Sequence, residues 1–574
     1  MAKVMGETAS KSKGIPFQGR SLFYTLMLMM LAISVLYPLI LLLINSFVIT
    51  MPDGNQVFGI GNWIIAWQQP GMVESIINTF NRVFITELIA FPIAIFVVWL
   101  IARTDIPWKG CLDFFMWVAF FLPALPVLMG WILLLDPKFG LVNQMFINWF
   151  GMKQGPFNIY TFWGIVWMHL VTKSVAAKYI LMLPAFRNMD ASLEEASHMS
   201  GYGKVGTIIH TVIPMMMPTI LISLIISLIH NLESFETEII LGPPGGFYVF
   251  STKIYQLIMR DQPLYGAATV LGIVILLSIT PLILYQYWIS TKRKFITVTS
   301  HFKPAKIRLG SMKWPAFSFV FMFGLLITVV PAVFLLMGTF MKLFGFFTIE
   351  QPWTLQHWHQ VLNDPILIHS IWNTVKLALG VAVGGMLWFS LLAYISVRSK
   401  FKFRGTVDFL TWLPACIPGI LLGLGMLWMF LETPLLRTLY GTIFVLIIVV
   451  LISSMTTGVQ LIKSNMVQLH SELEEASAVS GGSWLYTYRR VLLPILAPAL
   501  LSVGIITFIT ASRSVAQITM LVTSKNRPLS ILQLDYMVDG KYEAAAISGV
   551  FVVLLTIGVA ILARTIGKKF GIKI

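Results

Sequence analysis

Two stretches of this chain carry the same polar residues in the same register. LEEASHMSGYGKVGTIIHTVIPMMMP runs from Leu193 to Pro218, and LEEASAVSGGSWLYTYRRVLLPILAP runs from Leu473 to Pro498. Glu194/Glu474, Glu195/Glu475, Ala196/Ala476, Gly201/Gly481, Pro214/Pro494 and Pro218/Pro498 are all 280 positions apart. Ser192 with Glu195, and Ser471 with Glu474, have capping-box spacing, so each stretch predicts a short helix from Leu193 or Leu473 to Ser200 or Ser480. The glycine then allows a turn, and the proline restarts a helix. The chemistry on offer is docking: exposed carboxylates on a rigid, bent knob. The alternative is a solvated membrane-edge turn kept twice by gene duplication.

A second set of acids follows the first knob. NLESFETEIILGPPGG carries Glu233, Glu236 and Glu238, and the 280-residue offset places Arg513 opposite Glu233. Ionisable groups inside a bilayer are costly and are functional suspects. These four are candidates for a gate or selectivity element on a central pathway; a stabilising pair at an outer interface is the other reading. The Gly242–Gly246 run reads as an ordinary turn. Glu87 and His169 lie in apolar runs, where His169 reads as an interhelical hydrogen-bonding group, and Met215–Met217 as packing. No catalytic residue, metal site or cofactor site is expected. The chain has no G-x-x-x-x-G-K-[ST] loop to cradle a nucleotide phosphate.

These residues are positioned by elements whose solvent is lipid. Of 574 residues, 57% are hydrophobic and 11% charged, less than half the charged share of soluble domains, and mean hydropathy is +0.83. Those figures exclude a string of soluble domains and an apolar-poor disordered chain alike. Cys111 and Cys416 are too few for a disulfide framework or a cysteine-rich metal site. The first apolar run, from about 21 to 48, is too long for a signal-peptide core and reads as a membrane anchor.

A crossing needs about 20 apolar residues. Runs near 21–48, 79–102, 113–135, 158–184, 212–232 and 267–290 in the first half meet that length. Runs near 315–342, 374–397, 407–431, 439–462, 492–512 and 544–566 match them in the second. About twelve spans result. Lys3, Lys11, Lys13 and Arg20 precede them; Arg103, Lys109, Arg187 and Lys204 follow even-numbered spans. Arg398, Lys400, Lys463, Arg489 and Arg490 repeat the pattern, and Lys568, Lys569 and Lys573 close it. All fall on one side, so the net charge of +16 is membrane topology with both termini cytoplasmic, not a nucleic-acid footprint. The division expected is a first unit over 1–290, a basic cytoplasmic linker over 291–314 and a second unit over 315–574. Asn78-Thr79 and Arg103 match Asn373-Thr374 and Arg398 at an offset of 295, and Pro38 with Phe47 matches Pro331 with Phe340 at 293.

The order E-A-(A/S)-x-x-x-G, thirteen residues before a proline, resembles the coupling motif of type I ABC importer permeases. It stands here as Glu195-Ala196-Ser197 to Gly201 and Pro214, and as Glu475-Ala476-Ser477 to Gly481 and Pro494. Serine replaces the usual third alanine in both copies. The resemblance covers the whole chain as two permease units fused head to tail. It implies an all-α membrane protein of two homologous six-helix halves in a bacterial inner (plasma) membrane. It also implies coupling helices, Glu194 to Gly201 and Glu474 to Gly481, that dock in a dimer of cytoplasmic ATPases. ATP and Mg would then belong to that partner, and a periplasmic or extracellular binding protein would deliver substrate. Among fused permeases the likeness leans to ferric iron; phosphonate, sugar phosphate, polyamine or thiamine import by the same mechanism stays open. A secondary transporter also fits twelve spans, but would need its own coupling-ion site and no cytoplasmic knobs.

Overall fold

The computed structural model describes residues 17–50, 55–189, 196–197, 199–292 and 307–569. Among these residues ten helices are long and apolar enough to cross a membrane, or up to twelve if each of two bent pairs is one span. The first half contributes Ser21–Phe47, Met72–Arg103, Phe162–Arg187, Ile208–Leu232 and Tyr265–Leu282; the second contributes Gly310–Phe340, Pro365–Val397, Ile443–Val467, Trp484–Ser512 and Tyr542–Ala563. Helix is the form that satisfies every backbone group within its own segment in lipid. The exposed side chains of the first span, such as Leu22, Leu26, Met29 and Ile33, are apolar, as lipid contact demands.

The apolar runs over 113–135 and 407–431, the third and ninth spans, are each bent into two helices. Lys109–Phe121 meets Ala124–Leu135 at 103°, and Arg404–Ala415 meets Gly419–Glu432 at 112°. Proline explains both. Pro123 and Pro418 push the preceding residue out of the helical region, and Leu122 and Ile417 are extended.

Each half lends its first span to the other. The helix Phe17–Phe47 packs on Gly419–Glu432, and Lys313–Phe340 packs on Ala124–Leu135 and Lys109–Phe121. The crossings are close where glycine faces proline. A Cβ on Gly130 would lie 2.4 Å from the carbonyl oxygen of Pro331, and one on Gly425 would lie 3.0 Å from that of Pro38. Small residues that let backbones approach are the usual basis of helix association in lipid.

Of the linker expected over 291–314, residues 293–306 lie outside the described ones, as do the basic residues before Phe17 and Lys573. Its described end returns to the first half. Ile307 N–H donates to the Arg103 carbonyl at 2.8 Å, and Leu309 N–H donates to Asp105 Oδ1 at 2.8 Å.

Candidate functional site

The second knob is complete. The tenth span ends at Val467, the helix Glu472–Val479 follows, and Gly481 turns the chain at φ +80°. No atom lies within 4 Å of a Cβ built there, so the left-handed backbone rather than crowding requires glycine. Ser483 accepts from Tyr486 N–H at 3.3 Å to cap the short helix Trp484–Thr487. A π-turn, Tyr488–Leu492, leads into Leu493–Ser512 with Pro494 in its first turn, where proline's missing N–H is harmless.

The capping box expected at Ser471 does not form: the Ser471 side chain makes no cap hydrogen bond. Glu474 turns the other way, to Arg398 Nε at 3.5 Å and the Tyr394 hydroxyl at 3.4 Å. Burial pushes the Glu474 carboxyl above its ordinary range, and Arg398 pulls it back only in part. Arg398 also donates to the carbonyls of Met466 (2.9 Å) and Leu469. Glu475 and Ala476, by contrast, are exposed.

The first knob follows the same plan where it is described. Glu194, Glu195 and the Ser192 cap lie outside the described residues. Gly201 has φ +87°, the π-turn is Ile208–Val212, and Pro214 opens Ile213–Leu232. Ala196 is exposed, like Ala476. Hydrogen bonds recur at the repeat offset. Arg103 donates to the Met189 carbonyl at 2.7 Å as Arg398 does to that of Leu469. Tyr202 N–H donates to the Ser197 carbonyl as Gly482 N–H does to that of Ser477. The serines that depart from the usual alanine close the loop: Ser197 and Thr207 hydroxyls lie 3.2 Å apart, Ser477 and Thr487 hydroxyls 2.7 Å apart.

The knobs differ at their roots. Trp484 sits among Phe23, Tyr24, Tyr394 and Tyr488 with ring centroids 5.7–6.0 Å away. Among the described residues of the first knob, Tyr202 stacks on His210 at 4.9 Å instead.

The four pathway candidates separate. Glu238 is fully buried, with Arg82 Nε at 3.2 Å, His169 Nε2 at 2.8 Å and the Ser234 hydroxyl at 2.7 Å. Nearby, Glu87 pairs with Lys178 at 3.1 Å and accepts from Ser227 at 2.7 Å and from the Asn231 amide. This polar seam ties the second, fourth and fifth spans together, and His169 is the interhelical group expected. Glu233 and Arg513 do not form the expected direct pair. Arg513 donates to the carbonyls of Phe120 (3.0 Å) and Leu122 (3.4 Å), at the bend of the third span, and Glu236 is the carboxylate in its field. Arg82, Lys173 and Lys178 escaped the sequence reading; the signal for each was a basic residue inside an apolar run.

The family model described as "Binding-protein-dependent transport system inner membrane component" matches residues 90–295 and 385–572, one copy in each half. The chain belongs to this family of transport permeases. It is 26% identical over 431 residues to the ferric transport system permease protein FbpB of Actinobacillus pleuropneumoniae, covering 73% of this chain and 60% of that one. It is 27% identical over 359 residues to the putative ferric transport system permease protein FbpB 1 of Haemophilus influenzae, covering 61% and 55%. The permease thus spans little more than half the length of these two relatives. The molybdate/tungstate transport system permease protein WtpB of Pyrococcus furiosus is 27% identical over 213 residues, 37% of this chain and 82% of that protein. A bacterial ABC transporter involved in alginate import is similar in structure at TM-score 0.41 and 22% identity, covering 48% of this chain and 96% of that chain.

Proposed function

We propose that this permease forms the pathway of an ATP-driven importer, with substrate handed over by a separate binding protein and ATP hydrolysed by a separate cytoplasmic ATPase dimer. The observation that carries the reading is the matched pair of helix–glycine–proline knobs, whose exposed faces include Glu475 and Ala476 and, in the other copy, Ala196. On this reading the knobs, from Glu194 to Pro214 and from Glu474 to Pro494, each dock one ATPase. A cytoplasmic position for that face and for both termini is supported by the basic residues beside the knobs, Arg187, Arg398, Lys463 and Arg489. The substrate proposed is ferric iron, supported by the two ferric permeases among the relatives. Oxyanion import is the second reading, supported by the likeness to the molybdate/tungstate permease.

Proteoliposomes holding the permease, the ATPase encoded beside it and its binding protein test both. The expected result is accumulation of radiolabelled ferric iron that needs ATP hydrolysis and both partners. Uptake that persists without ATP would instead indicate a secondary transporter, and uptake of molybdate or sulfate but not iron would select the oxyanion reading.

A further inference from the structure

The helix Phe17–Phe47 belongs to the first half but meets the second knob at one end. There Trp484 lies half-buried among four rings. Phe23 at 5.7 Å and Tyr24 at 5.8 Å come from this helix, Tyr394 at 5.8 Å from the eighth span, and Tyr488 at 6.0 Å from the π-turn. Tyr24 also meets Phe401 at 5.8 Å. Two of the rings are held by their hydroxyls: Tyr488 lies 2.6 Å from the Ser390 hydroxyl, and Tyr394 donates to Glu474 at 3.4 Å. The bed is therefore joined to the knob helix itself. Ring pairs constrain mutual orientation as well as distance, so this contact transmits rotation and not only pressure.

The rest of the helix is gripped by the bent pair of the second half. Its Pro38 carbonyl lies 3.0 Å from where a Cβ on Gly425 would stand, and proline interrupts the helix's own hydrogen-bond ladder at that crossing. The Tyr37 hydroxyl lies 3.3 Å from that of Thr433, and near the far end the Asn45 amide donates to Glu432 Oε1 at 3.1 Å. The counterpart span of the second half, Lys313–Phe340, is seated differently. Its Phe317, at the position of Tyr24, packs on Trp108 at 5.6 Å, at the start of the third span. At the repeat offsets Lys204 stands in the place of Trp484 and Ala316 in that of Phe23. The stack of Tyr202 on His210 stays within the first knob.

We propose that Trp484 is a positioning residue of the transport cycle, keying the second knob to the first span so that movement of the knob tilts that span about its crossing with Gly425 and shifts Glu432 and Thr433 at its far end. The inference rests on reading the knobs as ATPase docks. Coupling between distant places needs a contiguous chain of packed groups, and here the chain runs from the knob through Trp484, Phe23 and Tyr24, Pro38 and Asn45 to Glu432. Every link crosses from one half to the other, so a stroke on the second knob reaches both halves at once. The first knob, with lysine in the tryptophan's place, lacks this key. The two ATPases thus act unequally on the pathway, although their docks repeat in sequence.

The complete transporter in proteoliposomes, carrying C111S and C416S, tests this with two spin-label pairs. L22C with L485C flanks the contact of Phe23 with Trp484; M312C with I209C joins the counterpart span and knob, and all four side chains are exposed. On trapping the ATPases with ATP and vanadate, the 22–485 distance is expected to hold within about 2 Å and the 209–312 distance to change by more. W484A should release the first pair, so that its distance changes too. It should also lower the labelled ferric citrate or molybdate taken up per ATP hydrolysed about fivefold. W484F, which keeps a ring in the bed, should restore both. A 22–485 distance that changes in the wild type as much as the other pair overturns the inference, as does W484A with wild-type uptake per ATP. Proportional loss of uptake and hydrolysis in W484A and W484F alike marks a purely structural role and overturns it as well. All three results leave the functional reading standing. If the ATPases do not bind and trapping moves neither pair, the knobs are not docks: that reading falls, and the inference with it.

Discussion

The two neighbouring glutamates of the second knob do different work, and they are separable by mutation. Glu475 is exposed and free for a partner, whereas Glu474 faces Arg398 and Tyr394. Glu475→Lys should weaken ATPase binding about tenfold or more, since it places a repelling charge in a docking contact. The purified permease should melt at the wild-type temperature; a lowered melting temperature with intact ATPase binding would reverse the assignment. Glu474 acts on the knob's own stability. Its carboxyl titrates above the usual range because burial outweighs the pull of Arg398. The folded knob therefore binds its proton more firmly than the unfolded chain does. Stability contributed by that proton is present below the ordinary carboxylate range and is lost as pH rises through the raised value. Protection of the 468–492 segment from proteolysis should fall as pH rises above the ordinary carboxylate range in the wild type, and Glu474→Gln should flatten that profile. An unchanged slope in the glutamine variant would place the titration elsewhere. From sequence, Glu474 was the capping-box partner of Ser471 and Glu475 the acid of the E-A-S motif; that Glu474 instead faces Arg398, 76 residues away, was not legible there.

At the scale of elements, the close crossings between halves are the points most sensitive to a single methyl group. Gly130→Ala would drive a Cβ to 2.4 Å from the Pro331 carbonyl oxygen, with backbone atoms on every near contact. Backbone cannot rotate away as a side chain can. A loss of about 1–3 kcal/mol is expected, seen as a lowered melting temperature of the purified permease. Gly110→Ala, where nothing lies within 4 Å, is the control, and equal melting of both variants would show that the crossing is looser than described. Such contacts were not legible in the sequence. The spans were, because lipid imposes a run of about 20 apolar residues that no other feature mimics. The 280-residue repeat was legible because carboxylates, glycine and prolines kept register. The bends at Pro123 and Pro418 were concealed inside uninterrupted apolar runs, and the π-turns leave no trace in hydropathy. Glu233, Glu236 and Arg513 stood out as charges near span ends, but that Arg513 would donate to the carbonyls of Phe120 and Leu122 at a bend hidden in an apolar run was not legible.

Across the whole molecule the duplication is symmetric in backbone and asymmetric in chemistry. The buried seam of the first half, Arg82, Glu87, His169, Lys178, Asn231 and Glu238, meets Leu377, Ala382, Val449, Gly458, Ala511 and Ile518 at the repeat offsets of 295 and 280. Six polar positions become apolar ones. Breaking a buried ion pair strands its partner, so the first half's core resists partial opening in a way the second half's small-residue packing does not. Each half packs its first span on the other as well as on its own last span, so neither is expected to be self-sufficient. The connection between them is therefore dispensable for assembly, while the swapped spans are not. Expression of 1–292 and 307–574 as separate chains should give a complex that co-purifies and carries out ATP-driven uptake with both partners. Either chain alone should be degraded or aggregated. Removing residues 1–47 from the first chain tests the exchange directly: the bent pair Arg404–Ala415 and Gly419–Glu432, and Trp484, all lie in the second chain and lose the partners that the first span supplies, Phe23 and Tyr24 among them. Increased hydrogen exchange should then appear at 419–432 and 484–488, in the half that was not shortened. Increased exchange confined to the shortened chain would mean that the halves fold independently and that the first span serves only its own unit.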